Sequence, residues 1–153
     1  MRTIVLAVAT TFVLAACARD PSPQDQRSYI AEWKSLRTDW ESQEGNAIRR
    51  GKAEEAARAF FRARRPVSGW TGSVTGVNSA LGSTWVDVEN SGMQFMLRPE
   101  GDASAKFMPV FERLSPGDRV VFDGTLATEL SLTMAGGIRH PEVSVTSSRV
   151  ERR

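Results

Sequence analysis

Pro66 divides this chain into two kinds of sequence that belong to different architectures. From Arg27 to Arg65 there is no proline, and Ala, Glu and Arg are frequent. Tyr29, Ile30, Trp33, Leu36 and Trp40 recur at spacings of three and four, which places them on one face of a helix. A second stripe, Ala53, Ala56, Ala57, Phe60 and Ala63, runs up to Pro66. Gly45 and Gly51 lie between the stripes. Glycine inside a helix costs about 1 kcal/mol, so a break between 43 and 52 is expected, giving a helical arm or hairpin. Each stripe spans too few turns for a coiled coil, so the helices are expected to pack on their own domain. The arginines at 58, 62, 64 and 65 are expected to form a solvated helix end that complements the negative C-terminal dipole.

Beyond Pro66, Val, Thr, Gly and Ser increase and alternation replaces the helical period. "GWTGSVTGVNSA" (69–80) reads as a first strand whose glycines suggest a bulge. "STWVDVEN" (83–90) sets Val86 and Val88 against Trp85, Asp87 and Glu89. After the turn signal "SG", "MQFMLRP" sets Phe95 and Leu97 against Gln94 and Met96, so the pair reads as a hairpin. Phe107, Val110, Phe111 and Leu114 suit a short helix, with Pro109 in its first turn if the helix starts near Lys106 or Phe107. "SPGD" turns the chain into a strand from Arg119 to Ala127; "MAGGIRHP" is a turn and "EVSVTSSRVE" a last strand. Three strands, a helix and two strands make the fold class α+β, a helical segment (27–65) before a five-stranded OB-fold-like barrel (67–152).

Four segments carry a resemblance: "GWTGSVTGV", "STWVDVEN", "LSPGDRVVFDGTL" and "VSVTSSRVE". They resemble bacterial OB-fold domains of the tRNA-anti-like kind. In that group a G-x-V strand opens the barrel, and Leu114, Gly117, Asp118, Val120 and Gly124 match the segment leading into the fourth strand. The resemblance covers 67–152, implies a fold, and transfers no catalytic residue.

The start of the chain speaks about location. After Arg2, "TIVLAVATTFVLAA" (3–16) runs without charge or proline, short of the roughly twenty residues a bilayer-spanning helix needs. A basic start, a short apolar run and small residues describe a signal peptide over 1–16. Leu14-Ala15-Ala16-Cys17 resembles a bacterial lipobox, which implies cleavage before Cys17 and a diacylglycerol on its sulfur. Cys17 is the only cysteine, so no intrachain disulfide can compete for it. Acyl chains contribute roughly 0.8 kcal/mol per buried methylene, and two or more anchor stably. Ala18 stands where many Gram-negative lipoproteins carry the aspartate that favours inner-membrane retention, so the resemblance points to the outer membrane, facing the periplasm. "ARDPSPQDQ", with 17–26 as the segment concerned, reads as a flexible tether.

About 137 residues then remain for one domain. Lys and Arg number 20 and Asp and Glu 18, so the chain lacks the strong positive balance of a nucleic-acid binder. Its lone histidine, His140, precedes Pro141 in a turn, and a zinc site needs three or four ligands. "MAGG" lacks the Lys-Ser/Thr pair of a phosphate loop. Asp118 is expected to be a turn residue and Asp123 to lie on the outward side of a strand. No catalytic residue, metal or cofactor is therefore expected, and the chain is read as non-catalytic.

OB-folds bind oligomers on the face of strands two and three, here Trp85, Met96 and Arg98. One aromatic beside two acids makes a poor single-strand nucleic-acid platform. The expected function is binding of another cell-envelope component, a protein partner. The alternative is a small ligand or oligosaccharide at Trp85, and it stays open that the helices carrying Trp33 and Trp40 cover Trp85. Cys17→Ser is expected to abolish incorporation of a fatty-acid probe in cells; persistent labelling would overturn the anchor.

Overall fold

The computed structural model describes residues 22–101, 104–126 and 136–153, so Cys17 and the lipobox lie outside the described residues. Two helices come first, α1 (Gln24–Ser42) and α2 (Ala47–Arg62). The break falls at 43–46, where Asn46 caps α2 by accepting the Arg49 N–H at 3.1 Å. Gly51 is tolerated inside α2. The second stripe needs one correction: Ala56 is exposed, while Phe61 is buried with Ala53, Ala57 and Phe60. Arg65 is no helix end. It opens the first strand and lies over the Tyr29 and Phe60 rings, at 5.5 and 5.0 Å.

The strands are β1 (Arg65–Ala80), β2 (Ser83–Asn90), β3 (Met93–Pro99), β4 (Arg119–Leu126) and β5 (Glu142–Arg152). They close in the order β1-β2-β3-β5-β4, with β4 returning to β1. All neighbours are antiparallel except β3 and β5. With the helix α3 (Ser104–Phe111) between the third and fourth strands, this is an OB-fold. β1 is long enough to serve two partners, pairing with β4 over 65–73 and with β2 over 73–80. Bulges between Val67 and Trp70 and between Val74 and Gly76 bend it from one to the other. α3 starts earlier than its spacing suggests, so Pro109 sits inside it and removes one backbone donor. The expected turn at 134–141 contains one helical turn, α4 (Gly136–Arg139), whose Ile138 is buried.

The barrel axis is filled by Trp70, Phe95 and Phe122, with ring centroids 5.7 to 6.4 Å apart. The aromatic stack continues into the helices through Tyr29, 5.4 Å from Trp70 and 4.5 Å from Phe60. Phe107, Phe111 and Leu114 join the same core from α3. Trp33 is buried and donates its indole N–H to the Ile138 carbonyl at 3.0 Å. Trp40 packs with Ala53, Ala57 and Ile138. The helices thus lie on the barrel.

The tether and helix boundaries, 17–26 and 27–65, are corrected here. α1 begins at Gln24, and both Ser22 and Gln26 are buried. Gln26 lies three and four residues before Tyr29 and Ile30, so its side chain shares their inward face. Its amide donates to the Thr71 carbonyl at 2.7 Å and accepts the Thr71 N–H at 2.9 Å. Pairing of β1 with β2 begins only at Ser73, so Gln26 takes the place of a missing strand neighbour. Asn90 adds a second donor to the same carbonyl at 2.8 Å and another to the Ser22 hydroxyl at 2.8 Å. Gln26→Ala would strand the buried Thr71 N–H. Urea unfolding is expected to show a loss of about 1–3 kcal/mol, against no more than about 0.5 kcal/mol for the exposed Gln24→Ala; equal losses would remove Gln26 from this role.

Candidate functional site

The three candidate residues Trp85, Met96 and Arg98 meet on the outward face of β2 and β3. Strand alternation sends Val86, Val88, Phe95 and Leu97 inward, which leaves Trp85, Asp87, Met96 and Arg98 outside. Cross-strand register sets Asp87 opposite Met96 and Asn78 of β1 opposite Trp85. The Arg98 guanidinium carbon is 5.9 Å from the Trp85 ring centroid, and its Nε lies 2.9 Å from the Met96 Sδ. Trp85 and Met96 are half-buried and Arg98 is exposed. The α1–α2 pair is fastened at the other end of β2, on Asn90 and Gly92, so its two tryptophans pack away from Trp85.

Asp87 and Asn78 complete the group and were not singled out as site residues from sequence. The Asn78 amide donates to the Asp87 Oδ2 at 2.6 Å. The other carboxylate oxygen, Oδ1, is buried and has no hydrogen-bond partner among the described residues. Burial pushes the Asp87 carboxyl above its ordinary range, although the Asn78 amide, the Trp85 side chain and the Arg98 charge all draw it back. The signal for Asn78 was present in the strand register, because a residue opposite Trp85 on the same face must be its neighbour. Asp87 was legible as outward, but its burial depends on the surrounding chains.

The other carboxylates considered from sequence are structural. Asp118 accepts the Ser115 N–H at 2.9 Å, closing the turn, and pairs with Arg152 at 2.8 Å. Asp123 accepts the Gly69 N–H at 2.6 Å, which holds the β1 bulge, and pairs with Arg149 at 2.7 Å. Burial opposes its charge, but the Gly69 N–H and Arg149 outweigh it and hold Asp123 below the ordinary carboxylate range. His140 is exposed. Among the described residues no three His, Cys, Asp or Glu side chains gather as a metal site, and no helix is long and apolar enough to cross a membrane.

At the hairpin joining β1 to β2 the chain exposes apolar surface. Leu81 is 106% exposed and Val77 37%. Leu81 and Gly82 have φ of 51° and 78°, the two-residue turn with both central residues left-handed. Asn, Asp or Gly suits that first position, and a leucine there costs roughly 1–2 kcal/mol. The segment from Pro66 to Val86 that contains this arm carries no charge. A separate apolar cleft of about 470 Å³ lies between α3 and β5, lined by Pro109, Val110 and Val150 with Arg113, Glu151 and Arg152 at its rim.

No family model matches the sequence, and no curated protein matches it. Among solved structures the chain is similar to one from the S. pombe Stn1–Ten1 complex, at 18% identity and a TM-score of 0.43. That match covers 54% of this chain and 54% of the other, so the chain spans about half the length of that structure. It is also similar to OBody AM3L15 bound to hen egg-white lysozyme, at 19% identity and a TM-score of 0.40, over 59% of this chain and 75% of that one.

The Asp87 carboxyl generates a test of the site's electrostatics. A folded pKa raised above the unfolded value means the native state favours the proton. Stability is then fully present below the unfolded pKa and falls as pH rises through the folded pKa. Asp87→Asn removes that loss, so its Tm is expected to exceed the wild-type value at pH 7 and to converge on it near pH 3. A lower Tm at pH 7 would show that the carboxylate is stabilising.

Proposed function

We propose that this chain is a lipid-anchored protein of the bacterial cell envelope, attached through Cys17 to the outer membrane and facing the periplasm. It works without catalysis, by binding another envelope protein through the β1–β2 arm and the adjoining Trp85 face. The observation that carries this reading is Leu81. A fully exposed leucine in a left-handed turn gives up local stability and gains only surface that a partner can cover. Trp85, half-buried on the outward face of the same uncharged arm, leads from Leu81 toward Arg98, whereas Val77, opposite Val86, lies on the other face.

A second reading, an oligosaccharide or other small polar ligand on the same face, is favoured by the Asp87 carboxylate beside the Trp85 ring, where no hydrogen bond of ordinary geometry reaches Oδ1 among the described residues. A carboxylate, an amide and a guanidinium around an indole are the groups that hydrogen-bond hydroxyls while a ring stacks on the apolar side of a sugar.

Leu81→Asn separates fold from function. It suits the turn better, so thermal unfolding is expected at a higher temperature, by about 0.5–1 kcal/mol of added stability. A photo-crosslinker at position 79 in living cells is expected to lose most of its protein adduct in this variant. An unchanged adduct would remove Leu81 from the interface. Loss of any adduct in the parent, with Trp85 fluorescence responding to a glycan, would favour the ligand reading.

A further inference from the structure

We propose that the barrel end carrying the β2–β3 turn rests against the phospholipid surface, so that the β1–β2 arm points away from the membrane. This rests on the lipid-bearing Cys17 proposed above and adds an orientation to it.

The orientation follows from where the folded body begins. Ser22 is 2% exposed, its hydroxyl 3.1 Å from the Thr71 hydroxyl and bonded by the Asn90 amide. The Arg27 guanidinium donates to the Ser22 carbonyl. Ser22 is therefore part of the barrel, and only residues 18–21 separate it from Cys17. Five Cα steps, fully extended, reach at most roughly 18 Å. A lipid on Cys17 starts inside the headgroup layer, which is itself about 5–7 Å thick per leaflet. What is left is about 10 Å, the width of one helix. The body cannot turn freely on so short a leash.

The fixed point also decides which end is near. Asn90, which holds Ser22, immediately precedes the Ser91–Gly92 turn, where φ is 54° and 91°. β2 runs from there to Ser83, beside the Leu81–Gly82 turn, a rise of about 23 Å along the strand. Charges of both signs lie toward this end: Arg27, Asp25 and Glu89, with Arg119 paired to Ser73 on the strand beside Glu89. Salt therefore has to separate the pull of the leash from the pull of charge.

The test uses the full lipidated chain reconstituted into vesicles of phosphatidylethanolamine and phosphatidylcholine with a nitroxide quencher on the headgroup. Ser91→Cys and Ser83→Cys each carry one fluorophore, because the Cys17 thiol is taken by lipid. The label at 91 is expected to be at least about threefold more quenched than that at 83, given the roughly 23 Å between the strand ends. The ratio is expected to hold in 0.5 M salt, beyond which electrostatic attachment would be screened. Inserting about twenty Gly/Ser residues after Asp20, a coil of about 25 Å, is expected to bring the ratio near one. Equal quenching in the parent, a ratio that collapses with salt, or no effect of the insertion would overturn the orientation. Mass spectrometry of the same sample keeps the two ideas apart: no diacylglycerol on Cys17 overturns the anchor together with the orientation, whereas a lipidated chain with equal quenching overturns the orientation alone.

Discussion

The pairing of the Gln26 side chain with the backbone of Thr71 is the contact on which the arrangement of helices and barrel depends. β1 must bend from β4 to β2, and Thr71, already opposite Val121 of β4, is left with its N–H and C=O facing a side where β2 has not yet begun to pair. Burying those two groups unpaired would cost more than a single hydrogen bond contributes. The primary amide of glutamine presents a donor and an acceptor side by side, as a strand does, and so completes the ladder from a helix. Around this point the Asn90 amide and the Ser22 hydroxyl join the first helix, the first strand and the second. The aromatic stack from Phe60 through Tyr29 to Trp70 carries the core from helix to barrel, but apolar contacts are tolerant of sliding. The polar group sets where the helix stops sliding.

The residues that resemble an OB-fold pattern turn out to have separate physical duties. Leu114 and Val120 face the core. Gly117 has a φ of 94° in the turn that Asp118 closes. Gly124 lies at the β4–β5 irregularity, where an added Cβ would strike the Thr146 carbonyl oxygen. Each position serves barrel closure. The candidate surface uses none of them, and the β1–β2 arm that carries it extends past the last β1–β4 pair. Scaffold and surface are therefore free to change independently.

The fold was largely legible because its signals are local. Alternation in 83–90 and 93–99 places Val86, Val88, Phe95 and Leu97 inside, and spacing puts Tyr29, Ile30 and Trp33 on one helix face. The misjudged boundary at 17–26 had a different cause. Ser22 and Gln26 are polar, and a polar residue reads as solvated unless its partner is known; here the partners are 49 and 45 residues away. Ala56 was taken as inward and Phe61 was left out of the stripe, because a stripe of small residues defines its face poorly. Of the surface, Trp85, Met96 and Arg98 follow from alternation alone, whereas Asn78 needs the strand register and Asp87 needs burial. Leu81 reads as an ordinary apolar residue until its backbone angle is seen.

The distribution of the four tryptophans has an optical consequence. Trp33, Trp40 and Trp70 are 1–2% exposed, and each indole N–H is bonded, to the Ile138 carbonyl, Glu54 and Asp25. Packing shields these three indoles from solvent. Trp85, half-buried on the outer sheet, is left as the indole that a dissolved quencher can reach. Ultraviolet emission of the unlabelled molecule thus contains a core contribution shielded from the quencher and one accessible component, and that component originates on the β2–β3 face.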